Sequence, residues 1–417
     1  MKRLIPGDGL DLLRRNRRFR RYYFARMSSV IGSQFTYAAV PLVVLADYRD
    51  PLAAGIVSAC GYGGNIAFGI VAGLIVDRVP HRAIMLVADC GRFVLLIALG
   101  LLLLGPHLPP ITVVYATVLL VAVFSAAFSA ADSAMSPRVV QADDFAQALT
   151  MSSTRDSAIS LLAPMISAAI VVEHPAIPFL VDSASYLISF VFLRTVRVPA
   201  PEPRQSPARE PWLRTATAGF SALSARRSLL LLTVGTGVLN FGLQVCVYLT
   251  LFRAVQQGHA SLAGVILGLQ SVGLLVGSVF AKRVFTRIPP ADITAVHAVV
   301  WAGSFIVFAA VRSVWAACIV LPLMWTTAPT FRTVISTHTV AVVPERALGR
   351  VNAAMSLIAM SVAALSQTSA AFAVTRNGTS LLLGLLASAA VSVLLGGVAL
   401  PTRTARMSLP CHGRQNA

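Results

Sequence analysis

Long apolar runs separated by short polar breaks recur along the chain. Crossing the roughly 30 Å hydrocarbon core of a bilayer takes about 20 mostly apolar residues at about 1.5 Å each. Twelve segments reach that length, near 27–46, 52–76, 83–105, 111–135, 147–172, 177–196, 229–252, 261–284, 292–311, 314–338, 350–374 and 379–400. Helix breakers stand where the runs end: Asp50-Pro51, Gly105-Pro106, Pro109-Pro110, His174-Pro175 and Pro289-Pro290. The pattern predicts an all-α membrane protein with twelve transmembrane helices.

The widest break divides these spans six and six. It starts with the Pro-rich, charged run VPAPEPRQSPAREP and turns helical from Trp212 to Arg227. The expected organisation is a basic segment (1–26), a six-helix bundle (27–196), a linker with an amphipathic surface helix (197–228), a second bundle (229–400) and a tail (401–417). A repeat relates the bundles. GLIVDRVPHR from Gly73 and GSVFAKRVFT from Gly277 lie 204 residues apart, and nearly the same offset brings VVQADDFAQALTMS over VVPERALGRVNAAMS. Parallel repeats about an axis normal to the membrane are a transporter architecture with the substrate site between halves at mid-depth.

Composition agrees. Of 417 residues 56% are hydrophobic and 12% charged, with mean hydropathy +0.76, whereas soluble domains carry about 25% charged residues. A soluble globular enzyme is thereby excluded. The net charge of +18 is not read as nucleic-acid binding, because no basic domain stands outside the spans. Instead it sets topology. With the N-terminus inside, 27 of the 34 Lys and Arg fall in the inner pieces, four in the outer ones and three within spans, which predicts both termini in the cytoplasm. Only Lys2 and Lys282 are lysines, a bias fitting a GC-rich bacterial genome and hence a bacterial cytoplasmic membrane.

The five cysteines and seven histidines are dispersed without ligand spacing, so neither a metal nor a disulfide is expected. Arg14 to Arg26 precede a long apolar segment without a small-residue cleavage site, so the first segment is expected to stay as a span. No GxxxxGK[ST] loop is present, which argues against a nucleotide-driven pump.

Between spans two and three, Gly73, Asp77, Arg78 and Arg82 read G-x-x-x-D-R-x-x-x-R. This resembles the signature loop of the major facilitator superfamily. Its glycine lets helices approach, while Asp77 can cap a helix N-terminus and hold Arg78 or Arg82, making a conformational latch. The second copy has Ala281 where the acid would stand. Asp89 with Arg92, SPRVVQADDFAQAL, AGFSALSARRSLL, SLAGVILGLQSVGLLVGS and VVPERALGRVNA extend the likeness to the branch that includes the enterobactin exporter and macrolide efflux proteins. The resemblance implies export of a small molecule driven by the proton gradient; an amphiphilic cargo, no cofactor and a monomer are expected. The glycine-proline motif that proton antiporters carry in span five is degraded here to Ala163-Pro164, with Ala168 and Ala169 following. A proton-coupled importer and a non-transporting receptor are the other readings of the same fold.

Charged residues inside spans cost several kcal/mol unless paired or hydrated. Asp89 and Arg92 share a helix face and are expected to support the latch. Asp132 stands near an inner end, and Asp182 near an outer end, within reach of interfacial water. Arg155 and Asp156 count about nine residues into span five, roughly 13 Å and so close to mid-depth. Neighbours about 100° apart on a helix are not expected to pair face to face, so Asp156 is either the proton-coupling carboxylate, tuned by Arg155, or a tie to another helix. Amides at mid-span are candidate substrate ligands: Gln34 with Tyr37, Asn65, Asn240 with Gln244, and Gln270. Phe124 and Trp325 are expected to add an aromatic wall.

Overall fold

The computed structural model describes residues 8–76, 79–196, 220–258, 262–311 and 313–375, and among them only helices and short connections occur. A short α1 (Asp8–Arg15) leads into α2 (Arg17–Val43), which widens into a π-helical turn over Val44–Tyr48. There follow α3 (Pro51–Val76), α4 (His81–Leu104), α5 (Ile111–Val139), α6 (Ala142–Glu173) and α7 (Ile177–Arg194). The second half holds α8 (Arg227–Gln256), α9 (Leu262–Arg287), α10 (Pro290–Ala310), α11 (Val314–Val342) and α12 (Glu345–Thr375). Helices α2 to α12 match expected spans one to eleven. The twelfth, most of the linker, Asp77, Arg78 and the tail lie outside the described residues. Among those described, nine helices are long and apolar enough to cross a membrane.

Several helices outrun their apolar segments. α2 starts ten residues before position 27, with the Asn16 side chain capping it by accepting from the Phe19 amide at 2.9 Å. The end of apolarity is not the end of a helix, because arginines are good helix formers in water. At its far end α2 meets Pro41, which removes one backbone donor and loosens the following turn. The helix closes at Arg49 in the left-handed region, φ 53°.

We call the face where α2 begins proximal and the face of the α2–α3 connection distal. In the first half α2 packs against α7 and α6, α3 against α5, and α4 against α5 and α7; in the second, α9 packs against α11, α10 against α11, and α8 against α12. The pairs α3–α5 and α9–α11 are equivalent under the repeat. Across the halves α3 meets α12 and α6 meets α9, two contacts that exchange under a two-fold axis along the bundle. The repeat glycine Gly277 has a structural reason: a Cβ there would fall 2.2 Å from the Thr326 carbonyl oxygen of α11, and one at Gly273 would fall 2.1 Å from that of Pro322. Glycines one turn apart let the two backbones touch.

Among the described residues, the halves share one apolar core toward the distal face. There Val43, Val57, Leu99 and Phe179 join Leu243, Leu249, Trp301 and Met324 in a single cluster. The Tyr248 hydroxyl of α8 donates to the Pro51 carbonyl at the start of α3, tying the halves together. Toward the proximal face the cores are separate: Phe19, Met85, Phe128 and Met135 belong to the first half, and Leu223, Leu229, Val343 and Val351 to the second. Among the described residues, buried apolar packing thus joins the halves distally and not proximally.

Candidate functional site

Beneath the shared distal core lies a cavity of about 200 Å³, lined from both halves. α2 contributes Ser33, Gln34, Thr36 and Tyr37; α3 contributes Tyr62; α7 contributes Asp182 and Tyr186; α8 contributes Gln244 and Tyr248. The remaining wall is largely aliphatic, and among the described residues it includes no Lys, Arg or His. Tyr37, 43% exposed, stacks on Tyr62 with centroids 6.1 Å apart and planes 18° from parallel. Gln34 Nε2 donates to Ser160 Oγ at 3.1 Å. Stacked rings and amides around an apolar pocket suit a small molecule with a flat apolar body and a few polar groups.

Three of the residues singled out in the sequence thus meet at this cavity: Gln34, Tyr37 and Gln244. Asn65 stands behind it, its amide bonded to the Tyr37 hydroxyl. Asn240 donates at 2.9 Å to the Thr236 carbonyl of its own helix. Gln270 accepts from the Trp325 indole at 3.1 Å, tying α9 to α11. Phe124 is packing material: its ring covers Gly91 of α4, where a Cβ would come within 2.6 Å. Tyr62, Tyr186 and Asp182 were not anticipated here. A polar stripe on span six, Asp182, Ser185, Tyr186 and Ser189, spaced like one helix face, was the available signal.

Asp182 corrects an expectation. It has no solvent exposure, and instead of reaching interfacial water it accepts from the Thr36 hydroxyl and, at 3.3 Å, from Ser185 Oγ. The bond sets Asp182, five residues into α7, level with Thr36 of α2. Room for it comes from Gly32, where a Cβ would stand 2.1 Å from Asp182 Oδ1 and 2.0 Å from Ser185 Oγ.

A second correction concerns Arg155 and Asp156. They do pair, with Arg155 Nε 2.9 Å and its terminal nitrogen 2.8 Å from Asp156 Oδ1, because a long guanidinium arm can fold sideways over the next residue. Arg155 also donates at 3.1 Å to the Tyr23 carbonyl and lies over the Tyr23 ring. The pair thus stands level with Tyr23 of α2, six residues into that helix. Asp132 is likewise held, by Arg26 at 3.2 Å and the Tyr22 hydroxyl.

Asp89 and Arg92 form a buried ion pair, with Ser189 donating to Asp89 at 2.7 Å. The Arg92 guanidinium lies between the Phe128 and Tyr186 rings, at 4.4 and 4.1 Å. In the signature loop, Gly73 lies in the last turn of α3. Arg82 donates to the carbonyls of Leu193 and Arg194, satisfying the C-terminal end of α7 where a cation is favoured.

An all-helical membrane chain with two related bundles around a shared cavity is the build of a transporter rather than an enzyme. The sequence model of the Major Facilitator Superfamily matches residues 22–368, and the chain belongs to that superfamily. No curated protein matches it in sequence. Among solved structures it is similar to the nucleoside transporter NupG, with 11% identity, 91% of this chain and 98% of that one covered, and a TM-score of 0.69. It is also similar to a bacterial homologue of the iron transporter ferroportin in the inward-facing state, at 15% identity, 92% and 97% coverage and a TM-score of 0.70. A POT family transporter in complex with 5-aminolevulinic acid is similar at 12% identity, 91% and 95% coverage and a TM-score of 0.69. Likeness at such identities speaks for the fold alone.

Proposed function

We propose that this chain is a secondary transporter that exports an amphiphilic small molecule, such as a drug or natural product, by proton antiport through alternating access. The observation that carries the reading is the central cavity, closed distally by a core shared between halves and flanked proximally by separate cores. Basic residues concentrate on the proximal side, which makes that face cytoplasmic under the positive-inside rule, with both termini inside a bacterial cytoplasmic membrane. The described arrangement is then the inward-open half of the cycle. Rocking the first bundle against the second would part the distal core and close the proximal one.

The cavity wall supports the cargo class: among the described residues its polar groups are amides, hydroxyls and the one acid Asp182, with no base, set in a largely aliphatic lining. Neutral and cationic amphiphiles fit that balance better than anions. The resemblance to the exporter branch supports the direction, and the energy source is the proton gradient, with no cofactor. Asp77, Arg78 and Arg82 act in this reading as the latch that biases one access state.

The test is accumulation of amphiphilic dyes and antibiotics in cells with and without the chain. Lower accumulation with the chain, abolished by a protonophore, supports export. Higher accumulation with the chain identifies an importer.

A further inference from the structure

Among the described residues, four aspartates lie on the membrane helices of the first half at least five residues from either helix end, and three of them have a guanidinium partner: Asp89 with Arg92, Asp132 with Arg26, and Asp156 with Arg155. Asp182 is the fourth. Among the described residues no cation forms a salt bridge with it; its side-chain partners are the hydroxyls of Thr36, Ser185 and Tyr186. In the second half the described helices carry only Asp292 and Glu345, each at the start of its helix. Asp182 is therefore the acid in the cavity wall.

We propose that Asp182 is the site where the transported proton binds. The partners decide this. Arginine can only donate, so it holds Asp89, Asp132 and Asp156 as carboxylates. A hydroxyl both donates and accepts. Thr36 and Ser185 donate to the ionised group, and after a proton arrives either hydroxyl can turn to accept from the new acid O–H. Both protonation states are thus satisfied without moving a helix. An unpaired buried ion costs several kcal/mol, and a proton removes that cost. The change is one O–H bond made at an Asp182 oxygen when the proton enters and broken when it leaves.

The groups facing this site are few. From α2 come Thr36, Ser33 and the cavity-lining Tyr37; from α4 comes Arg92, already held by Asp89 and two rings; from α7 itself comes Tyr186, 2.9 Å from Ser33 Oγ. Gly32 keeps open the space that the carboxyl fills. Asp182 borders the cavity without solvent exposure of its own, so the proton reaches it from the cavity through the covering hydroxyls as the halves rock.

This inference rests on the proton-antiport reading, and its test needs no cargo. Infrared difference spectra of the reconstituted full chain, taken across pH, report carboxylic acid C=O bands that appear on protonation. The expected result is a band, separate from those of the solvated carboxyl groups, that is lost in Asp182→Asn and retained in Asp89→Asn and Asp156→Asn. Thr36→Val keeps the carboxyl and should keep the band with a shifted midpoint, which guards against Asp182→Asn failing to fold. No such separate band in the wild type, or a band unchanged in Asp182→Asn, would overturn the assignment. A band at Asp182 in a chain whose transport ignores the proton gradient would preserve the proton site and sink the antiport reading instead.

Discussion

A methyl group placed at position 32 probes the carboxylate site without touching its chemistry. In Gly32→Ala the new Cβ would start 2.0 Å from Ser185 Oγ and 2.1 Å from Asp182 Oδ1, where ordinary contact begins at 3.4 Å. Both oxygens must retreat by about 1.3 Å, more than a close-packed helix pair absorbs without strain. Overpacking of this kind costs about 1–3 kcal/mol, and each lost hydrogen bond to a charged acceptor adds about 1.5–3 kcal/mol. Alanine returns at most about 1 kcal/mol of helix propensity over glycine. The steric terms win, leaving a net loss of roughly 2–5 kcal/mol. The control is Gly63→Ala on α3, where a Cβ meets nothing within 4 Å and only the propensity gain remains. Thermal unfolding of the purified chain in detergent, followed by tryptophan fluorescence, separates them, since each kcal/mol moves the midpoint by about 2–4 °C in a unit of 150–250 residues. Equal or higher stability of Gly32→Ala relative to Gly63→Ala would refute the packing argument.

Gly273→Ala should be still less tolerated, because its Cβ would meet the Pro322 backbone rather than a movable side chain; a fall in the unfolding midpoint and in membrane yield checks this. Arg92→Ala strands the buried Asp89 and should destabilise by about 3–5 kcal/mol, and the double variant Arg92→Ala with Asp89→Ala should recover part of that loss in the same assay. Asp156→Asn leaves Arg155 its bond to the Tyr23 carbonyl and should retain uphill transport in vesicles, whereas Asp182→Asn should lose it. Asp77→Asn should reach the membrane at normal level yet transport poorly, as measured by dye efflux.

The eleven described spans were legible because bilayer thickness imposes a length on apolar runs, and the repeat pairs α3–α5 and α9–α11 follow from duplicated sequence. Burial was not legible. Counting residues from an apolar boundary gave Asp182 interfacial water, whereas Thr36 of α2 and Ser185 of its own helix cover it. Register between helices is a tertiary property: the bonds from Thr36 to Asp182 and from Arg155 to the Tyr23 carbonyl align α7 and α6 with α2. Side-chain reach was also hidden: helix geometry alone separates Arg155 from Asp156, but three methylenes and a planar head close the gap. Of the amides, Gln34 and Gln244 reach the cavity while Asn240 bonds to its own helix, a distinction of helix rotation that spacing does not contain.

The most direct test of the account is transport by the reconstituted chain in vesicles with an imposed pH gradient and no membrane potential, using a panel of cationic and neutral amphiphiles. The prediction is accumulation of at least one probe above its external concentration, collapsed by a protonophore and absent from vesicles holding Asp182→Asn. Equilibration of probes to equal concentrations, the same in the wild type and in Asp182→Asn whatever the pH gradient, would contradict it.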